Sequence, residues 1–180
     1  MQKLQKLSHR YTLMFQVLFY AVILGLILFW LTYETPYNVF TNYMGIGANL
    51  THFTHAPILL TTRILAFVVT LIPCSIILYG LNQLIKLFKN YEKGHVFTID
   101  NVQSYKNLAY SLFAWVIAGF FYDALISLVL SFNNPPGHRL IAISFESPEF
   151  VALITGAILL IISYVMQEAH KLSDENKFTI

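Results

Sequence analysis

Four long apolar stretches, separated by polar segments, dominate the pattern of hydrophobic and polar positions along the chain. Each stretch has about the 20 residues that a helix needs to cross the roughly 30 Å hydrocarbon core of a bilayer. The pattern therefore predicts one all-α membrane domain, residues 1–180, built as a four-transmembrane-helix bundle. We place the membrane helices at about residues 11–32, 57–81, 109–132 and 149–167.

Two of the connections between these helices have the Pro, Gly and Asn residues that are typical of loops. They cover about residues 33–56 and 133–148, and we predict that both lie on the outer side of the membrane. In the second loop, the run RLIAISF fits a single strand or an interfacial hairpin.

The central connection, about residues 82–108, is different, and we call it the hinge. Helix two continues into it as a basic amphipathic segment. Gly94 suits the left-handed conformation that ends a helix. Thr98 is a good N-cap for helix three. The carboxylate of Asp100 would lie in the first turn, where the positive end of the helix dipole stabilises an anion. Phe97 can pack on Val102 as a hydrophobic staple. We therefore expect helices two and three to extend into the cytoplasm on either side of a tight turn.

One face of the amphipathic segment carries Lys86, Lys89 and Lys93. Near a membrane surface, each such charge attracts anionic lipid headgroups by about 1 kcal/mol. We expect this face to meet membrane lipids, and docking of a cytoplasmic protein is the alternative. The face lacks the interleaved aromatic residues of a nucleic-acid site, so we expect no nucleic-acid partner.

Composition agrees with a membrane protein: 57% of the residues are hydrophobic and 11% are charged, against about 25% charged in soluble domains. The single cysteine, Cys74, excludes an intramolecular disulfide. By the positive-inside rule, both termini and the hinge are cytoplasmic. The outer side carries Arg139, and the inner side carries Lys3, Lys6, Arg10, Lys86, Lys89, Lys93, Lys106, Lys171 and Lys177.

Asp123 lies about nine residues from the outer end of helix three, within the hydrocarbon. An Asp near the bilayer centre costs roughly 2.5 to 3.5 kcal/mol, so it should face the protein interior or a wet cavity. Arg63, which enters helix two from the same side, is the expected partner. Such a pair fits an ion or proton pathway. The alternatives are a structural clasp, or an Arg63 that snorkels to the interface.

Three histidines, His52, His55 and His138, fall in the outer loops and are weak candidates for a metal site. No Cys or acidic ligand has a matching spacing, and the HExxH pattern is absent. We therefore interpret them as solvent histidines and expect no metal and no cofactor.

The letters GHVFTIDNV after the basic helix, together with the ending ENKFTI, resemble a bacterial membrane family known as domain of unknown function 2975. The matching residues are Gly94, Phe97, Thr98, Asn101, Val102, Thr179 and Ile180. The resemblance implies four membrane helices and the bacterial plasma (inner) membrane. It supplies no catalytic residues.

The sequence shows no P-loop, dinucleotide fingerprint, nucleophile elbow or pair of catalytic carboxylates. We therefore expect a non-enzymatic accessory or sensor-like module whose hinge meets lipid or a protein partner. A small transporter or channel subunit that uses Asp123 and Arg63 is the alternative, and a membrane enzyme acting on lipid or quinone comes third. A homo-oligomer, or a complex with another membrane or cytoplasmic protein, fits either of the first two.

Overall fold

A computed structural model describes residues 2–54, 57–145 and 147–177 of the chain. Helices make up 79% of the structure and its described residues contain no strand, which confirms the predicted all-α class. The elements in chain order are helix α1 (Gln2–Thr32), the short helix α2 (Val39–Asn42), a 3-10 helix (Ala48–Phe53), and helices α3 (Leu60–Glu92), α4 (Ile99–Ser131) and α5 (Ser147–Lys177).

Four of these helices are long and apolar enough to span a membrane, as the sequence predicts. The qualifying segments are Lys3–Thr32, Leu60–Glu92, Ile99–Ser131 and Ser147–Leu172. At 1.5 Å per residue, a helix of 33 residues such as α3 or α4 is about 50 Å long. Both helices are therefore longer than the hydrocarbon core of a bilayer.

The long helices continue beyond the apolar stretches that the sequence analysis marks. Helix α3 runs through Pro73 and ends at Glu92, and α4 begins at Ile99, after six intervening residues. The predicted hinge of residues 82–108 is therefore largely helical, and its non-helical part is the turn at residues 93–98, which we call the hinge turn. Residues 139–145, which the sequence predicted as a strand or hairpin, form neither helix nor strand.

The chain divides into two compact units, and α1, α3 and α4 each contribute to both. The first unit consists of Met1–Tyr20, Ile76–Val116 and Glu146–Ile180, and the second consists of Ala21–Ser75 and Ile117–Phe145.

The second unit has an aromatic core that joins α1, α3 and α4 to the loop after α1. Its buried members are Phe29, Trp30, Tyr33, Leu50, Ala66, Ile126 and Leu130. The indole N–H of Trp30 donates to Thr70 Oγ1 at 3.1 Å, so the polar atom of this large buried side chain is satisfied.

The first unit packs helices closely around small residues and buried polar groups. A Cβ atom on Gly156 of α5 would lie 3.0 Å from the Phe113 ring and 3.3 Å from the Ala109 carbonyl oxygen of α4. Glycine at this position therefore permits the close approach of α4 and α5.

Candidate functional site

The hinge turn begins with a tight helix stop. Gly94 has φ 80°, in the left-handed region that glycine adopts without steric cost. The Gly94 N–H donates to the Tyr91 carbonyl at 3.0 Å, and the His95 N–H donates to the Asn90 carbonyl at 2.9 Å. These two bonds form a Schellman motif, which satisfies the carbonyls at the end of α3.

Asn101, in the first turn of α4, holds the hinge turn in place. Its side-chain nitrogen donates to the carbonyls of His95 and Val96, both at 2.7 Å. Its amide oxygen accepts a hydrogen bond from Asn90 Nδ2 at 2.8 Å. Asn101 is 0% exposed, and these three bonds use both of its donor hydrogens and its acceptor. A buried polar side chain that is satisfied in this way stabilises one geometry of the turn.

The expected capping interactions of α4 are only partly present. Thr98 directly precedes the helix, and its carbonyl accepts bonds from the N–H groups of Asn101 and Val102. Its hydroxyl, however, is buried and forms no hydrogen bond with any described residue, so the predicted side-chain cap is wrong. Asp100 does lie in the first turn and is exposed.

The expected staple between Phe97 and Val102 does not bury the Phe97 side chain. Val102 is buried, whereas Phe97 remains 53% exposed. The carbonyl of Phe97 lies 3.1 Å from Nδ1 of His170 on α5, so the backbone at this position is also held. Phe97 is therefore an aromatic side chain presented on a fixed backbone.

A cavity of about 390 Å³ lies beside this ring, within the first unit. Leu4 and Gln5 of α1 form one wall, and the other wall is Gly94, His95, Val96, Phe97 and Thr98. Near the same turn, His9 Nδ1 lies 2.9 Å from Glu92 Oε1, which links α1 to the end of α3. The cavity is therefore framed by segments that bond to one another.

The basic residues of the hinge lie on the surface. Lys86, Lys89 and Lys93 are all exposed, and Lys93 directly precedes Gly94 of the cavity wall. On α1, Lys3 and Lys6 flank Leu4 and Gln5 in sequence and are also exposed. Lys3, Lys6 and Lys93 are thus exposed cations that stand next in sequence to residues of the cavity walls.

Asp123 binds the second loop. Its Oδ2 accepts a hydrogen bond from the Ser144 N–H at 3.0 Å and another from the Ser144 hydroxyl. One turn further along α4, Ser127 Oγ accepts from the Ala142 N–H at 2.9 Å. After another turn, Ser131 Oγ accepts from the Leu140 N–H at 3.2 Å. Three polar side chains of α4 therefore bind alternate residues of the segment 139–145, the spacing of an extended chain.

The spacing of these bonds follows from backbone geometry. Four residues of a helix rise about 6.0 Å, and two residues of an extended chain cover about 6.6 Å. Side chains at intervals of four on α4 therefore match N–H groups at intervals of two on a segment that runs the other way. Asp123 therefore binds the second loop at Ser144, whereas the predicted clasp was with Arg63.

Arg63 and Asp123, predicted as a pair, are not brought together. The Arg63 guanidinium donates from Nη1 to the Leu31 carbonyl at 3.3 Å and from Nη2 to the Tyr33 carbonyl at 3.0 Å. Depth along two helices predicts the pair, but the carbonyls at the end of α1 and the second loop provide other partners. Each of the two side chains binds the backbone nearest to it instead.

The histidine candidates show no metal set in the part of the chain that the structure describes, where no group of three or more His, Cys, Asp or Glu residues is placed to hold an ion. His52 is exposed in the 3-10 helix. The backbone of His138 closes a turn with Pro135 and Asn134. His55, Thr179 and Ile180 lie outside the described residues.

Two features were missed in the sequence, although each left a signal. Asp123, Ser127 and Ser131 recur at intervals of four, a polar stripe on the otherwise apolar second half of α4. Asn101 stands at the third helical position of α4, where a side chain can reach back to the preceding turn. The structure shows this side chain bonded to both sides of the hinge turn.

Comparison with known proteins identifies a family but no function. No curated protein and no solved structure matches the chain. One family model, described as protein of unknown function (DUF2975), matches residues 10–180. Because this match covers nearly the whole sequence, including the hinge and all four long helices, the chain belongs to the DUF2975 family.

Proposed function

We propose that this multi-pass membrane protein is a non-enzymatic module of the bacterial plasma membrane whose hinge docks a cytoplasmic protein. In this proposal both termini and the hinge turn lie in the cytoplasm. The charge distribution supports this orientation, because lysines and arginines are concentrated at the termini and in the hinge.

The observation that carries the proposal is the exposed Phe97 ring beside the hinge cavity. Aromatic side chains are enriched at the energetic centres of protein interfaces because they bury a large area at low entropic cost. Asn101 and His170 hold the backbone on which this ring stands. A fixed turn lowers the entropic cost of binding, since less of it has to be ordered when a partner docks.

The chemistry of the surface indicates the kind of partner. The cavity takes an apolar side chain, because Leu4, Val96 and Phe97 contribute to its walls. Its neighbours in sequence, Lys3 and Lys93, are exposed cations. We therefore propose a partner segment that places an apolar side chain among acidic residues, since complementary charge increases both specificity and association rate.

Lys86 and Lys89 have a separate role in this proposal. On α3, Lys89 lies about one turn and Lys86 about two turns before the hinge turn, so both are closer than the cavity to the membrane surface. We propose that they bind anionic lipid headgroups. A surface that binds lipid on one side and protein on the other suits an accessory or sensor-like module.

Photocrosslinking in native membranes tests the proposal. A photoreactive amino acid at position 97 should form an adduct with a protein. The matched control is position 132, because Phe132 is 60% exposed and belongs to the second unit. Adducts with lipid alone at position 97, or the same protein adduct from both positions, would refute docking at the hinge.

A further inference from the structure

A second cavity, an apolar groove of about 250 Å³, lies between the last turns of α1 and the first turns of α3, within the second unit. It is lined by Ile27, Trp30, Leu31, Leu60, Arg63, Ile64 and Phe67. The indole N–H of Trp30 already donates to Thr70. Arg63 is therefore the group of the groove that still has hydrogen-bonding capacity.

Much of that capacity is unused. A guanidinium has five N–H donors, and the two bonds to the carbonyls of Leu31 and Tyr33 use two of them. The Nε–H of Arg63 is buried and donates to no described residue. Glu34, next to Tyr33, instead accepts bonds from the Thr54 hydroxyl at 3.3 Å and the Ile58 N–H at 3.2 Å.

The two carbonyls stabilise the Arg63 charge only in part. They lie at the end of α1, where the helix dipole is negative and amounts to about half an elementary charge. No carboxylate of a described residue forms an ion pair with Arg63. A charge beside apolar walls is costly unless an anion and further hydrogen bonds compensate it. An anionic oxygen is the group that completes this site.

The position of the guanidinium also separates this site from simple snorkelling. A snorkelling arginine extends its head into interfacial water. Here two carbonyl bonds direct the head of Arg63 toward α1, beside the groove. The surrounding Leu31, Leu60 and Ile64 side chains are themselves exposed, so the groove opens on the apolar surface of a membrane helix pair.

We propose that this groove binds an anionic phospholipid. The phosphate accepts hydrogen bonds from the remaining N–H groups of Arg63 Nη1 and Nη2, and one acyl chain lies along the apolar walls. Arginine binds phosphate oxygens through short, charge-assisted bonds, and hydrocarbon walls exclude a free inorganic anion as the preferred ligand. This site is independent of the hinge surface, because its residues all belong to the other unit.

Binding of defined lipids to the delipidated protein, measured by native mass spectrometry, tests the proposal. Dioleoyl phosphatidylglycerol should bind about tenfold more tightly than the phosphatidylcholine with the same acyl chains. The preference should disappear in Arg63→Gln and be partly retained in Arg63→Lys. Arg139→Gln is the matched control and should keep the preference, because the Arg139 guanidinium stacks on Phe132 outside the groove.

A second variant keeps the test decisive if Arg63→Gln does not fold. Ile64→Trp fills the groove and leaves Arg63 in place, so it should weaken phosphatidylglycerol binding several-fold. Ile141→Trp changes a similarly exposed isoleucine outside the groove and should have no effect. Equal binding of the two lipids by the native chain, or an undiminished preference in Ile64→Trp, would overturn the proposal. Oleate binding as tight as phosphatidylglycerol binding would overturn the assignment of a phospholipid.

Discussion

The amide oxygen of Asn101 accepts a hydrogen bond from Asn90 Nδ2 at 2.8 Å, and this bond joins the first turn of α4 to the end of α3. The nitrogen of the same side-chain amide donates to the carbonyls of His95 and Val96, in the turn between the two helices. One buried side chain thus connects both helices and the turn. Whatever binds Phe97 meets a surface whose shape depends on Asn101.

We expect Asn101→Ala to lower the free energy of unfolding by about 2–4 kcal/mol, because it leaves buried carbonyls and the Asn90 amide without partners. Unfolding in mixed detergent micelles measures this change. Asn107→Ala on the same helix is the control, since Asn107 accepts an exposed hydrogen bond from Gln103 and donates to Gln83 only at 3.5 Å. It should cost less than about 1 kcal/mol. Equal losses in the two variants would contradict the role of Asn101.

Substitutions of Asp123 distinguish two roles of its side chain: a hydrogen-bond acceptor for the second loop, and a charge that is itself required. Asp123→Asn keeps an oxygen that accepts the Ser144 N–H, so residues 140–144 should stay protected from hydrogen exchange. Asp123→Ala removes the acceptor, and the Ser144 N–H should exchange about tenfold faster. Asp100→Ala, an exposed carboxylate on the same helix, should change nothing in this segment. Loss of protection in the Asn variant would show that the charge itself is required.

The separate environments of Arg63 and Asp123 predict additive effects. A double-mutant cycle with Arg63→Leu and Asp123→Asn should give a coupling energy within about 0.5 kcal/mol of zero. Each side chain binds backbone or loop groups of its own, so neither variant removes the partner of the other. A coupling energy of about 1 kcal/mol or more, as expected for residues in contact, would show that Arg63 and Asp123 interact.

Tyr33 predicts a loss of stability at alkaline pH. Burial raises the pKa of its phenol above the usual value of about 10, and the charge of Glu34 adds to this shift. The folded state holds the phenol proton more tightly than the unfolded state. The stability that this difference contributes is therefore complete below about pH 10 and is lost above it, by up to about 1.4 kcal/mol per pH unit. Tyr33→Phe should remove that part of the alkaline loss.

The same variant has a second expected result at neutral pH. The Tyr33 hydroxyl is buried and donates to no described residue, so its removal should leave stability unchanged or raise it by about 1 kcal/mol. Thermal unfolding between pH 7 and 11 checks both results. A large loss in Tyr33→Phe at pH 7 would show that the hydroxyl has a partner.

Thiol labelling tests the proposed orientation. Cys74 is the single cysteine, so a Cys74→Ala background allows one label position at a time. A membrane-impermeant maleimide should label Tyr43→Cys in intact cells and should label Lys93→Cys only after the membrane is opened. Both positions are exposed in the structure. The reverse pattern would place the hinge outside.

The sequence predicted the four apolar helices because hydrophobic length is a local property that the membrane imposes on each segment. Gly94 and Asp100 were also readable, since a helix stop and a charge in a first turn depend on neighbouring residues. The partners of Asp123 and Arg63 were not. They depend on where a loop folds back and where another helix ends, and spacing along one helix does not report either.

In the hinge, too, the sequence predicts local features and does not predict the contacts between more distant groups. Thr98 directly precedes α4, as its N-cap preference predicts, but its hydroxyl is buried and bonds to no described residue, and its carbonyl accepts the first backbone bonds of the helix. The family pattern includes Asn101 but does not predict its role. That role depends on the carbonyls of His95 and Val96, which lie 2.7 Å from its side-chain nitrogen. Side chains that bind a distant backbone leave little trace in composition or periodicity.

The central claim is that Asn101 fixes a turn from which Phe97 binds a cytoplasmic protein. Photocrosslinking from position 97, in the native chain and in the Asn101→Ala variant, tests it most directly. We predict a protein adduct in the native chain that is absent from position 132 and that is strongly reduced in Asn101→Ala, at equal amounts of membrane-inserted protein. An adduct of unchanged yield in Asn101→Ala, or no protein adduct at position 97, would contradict the account.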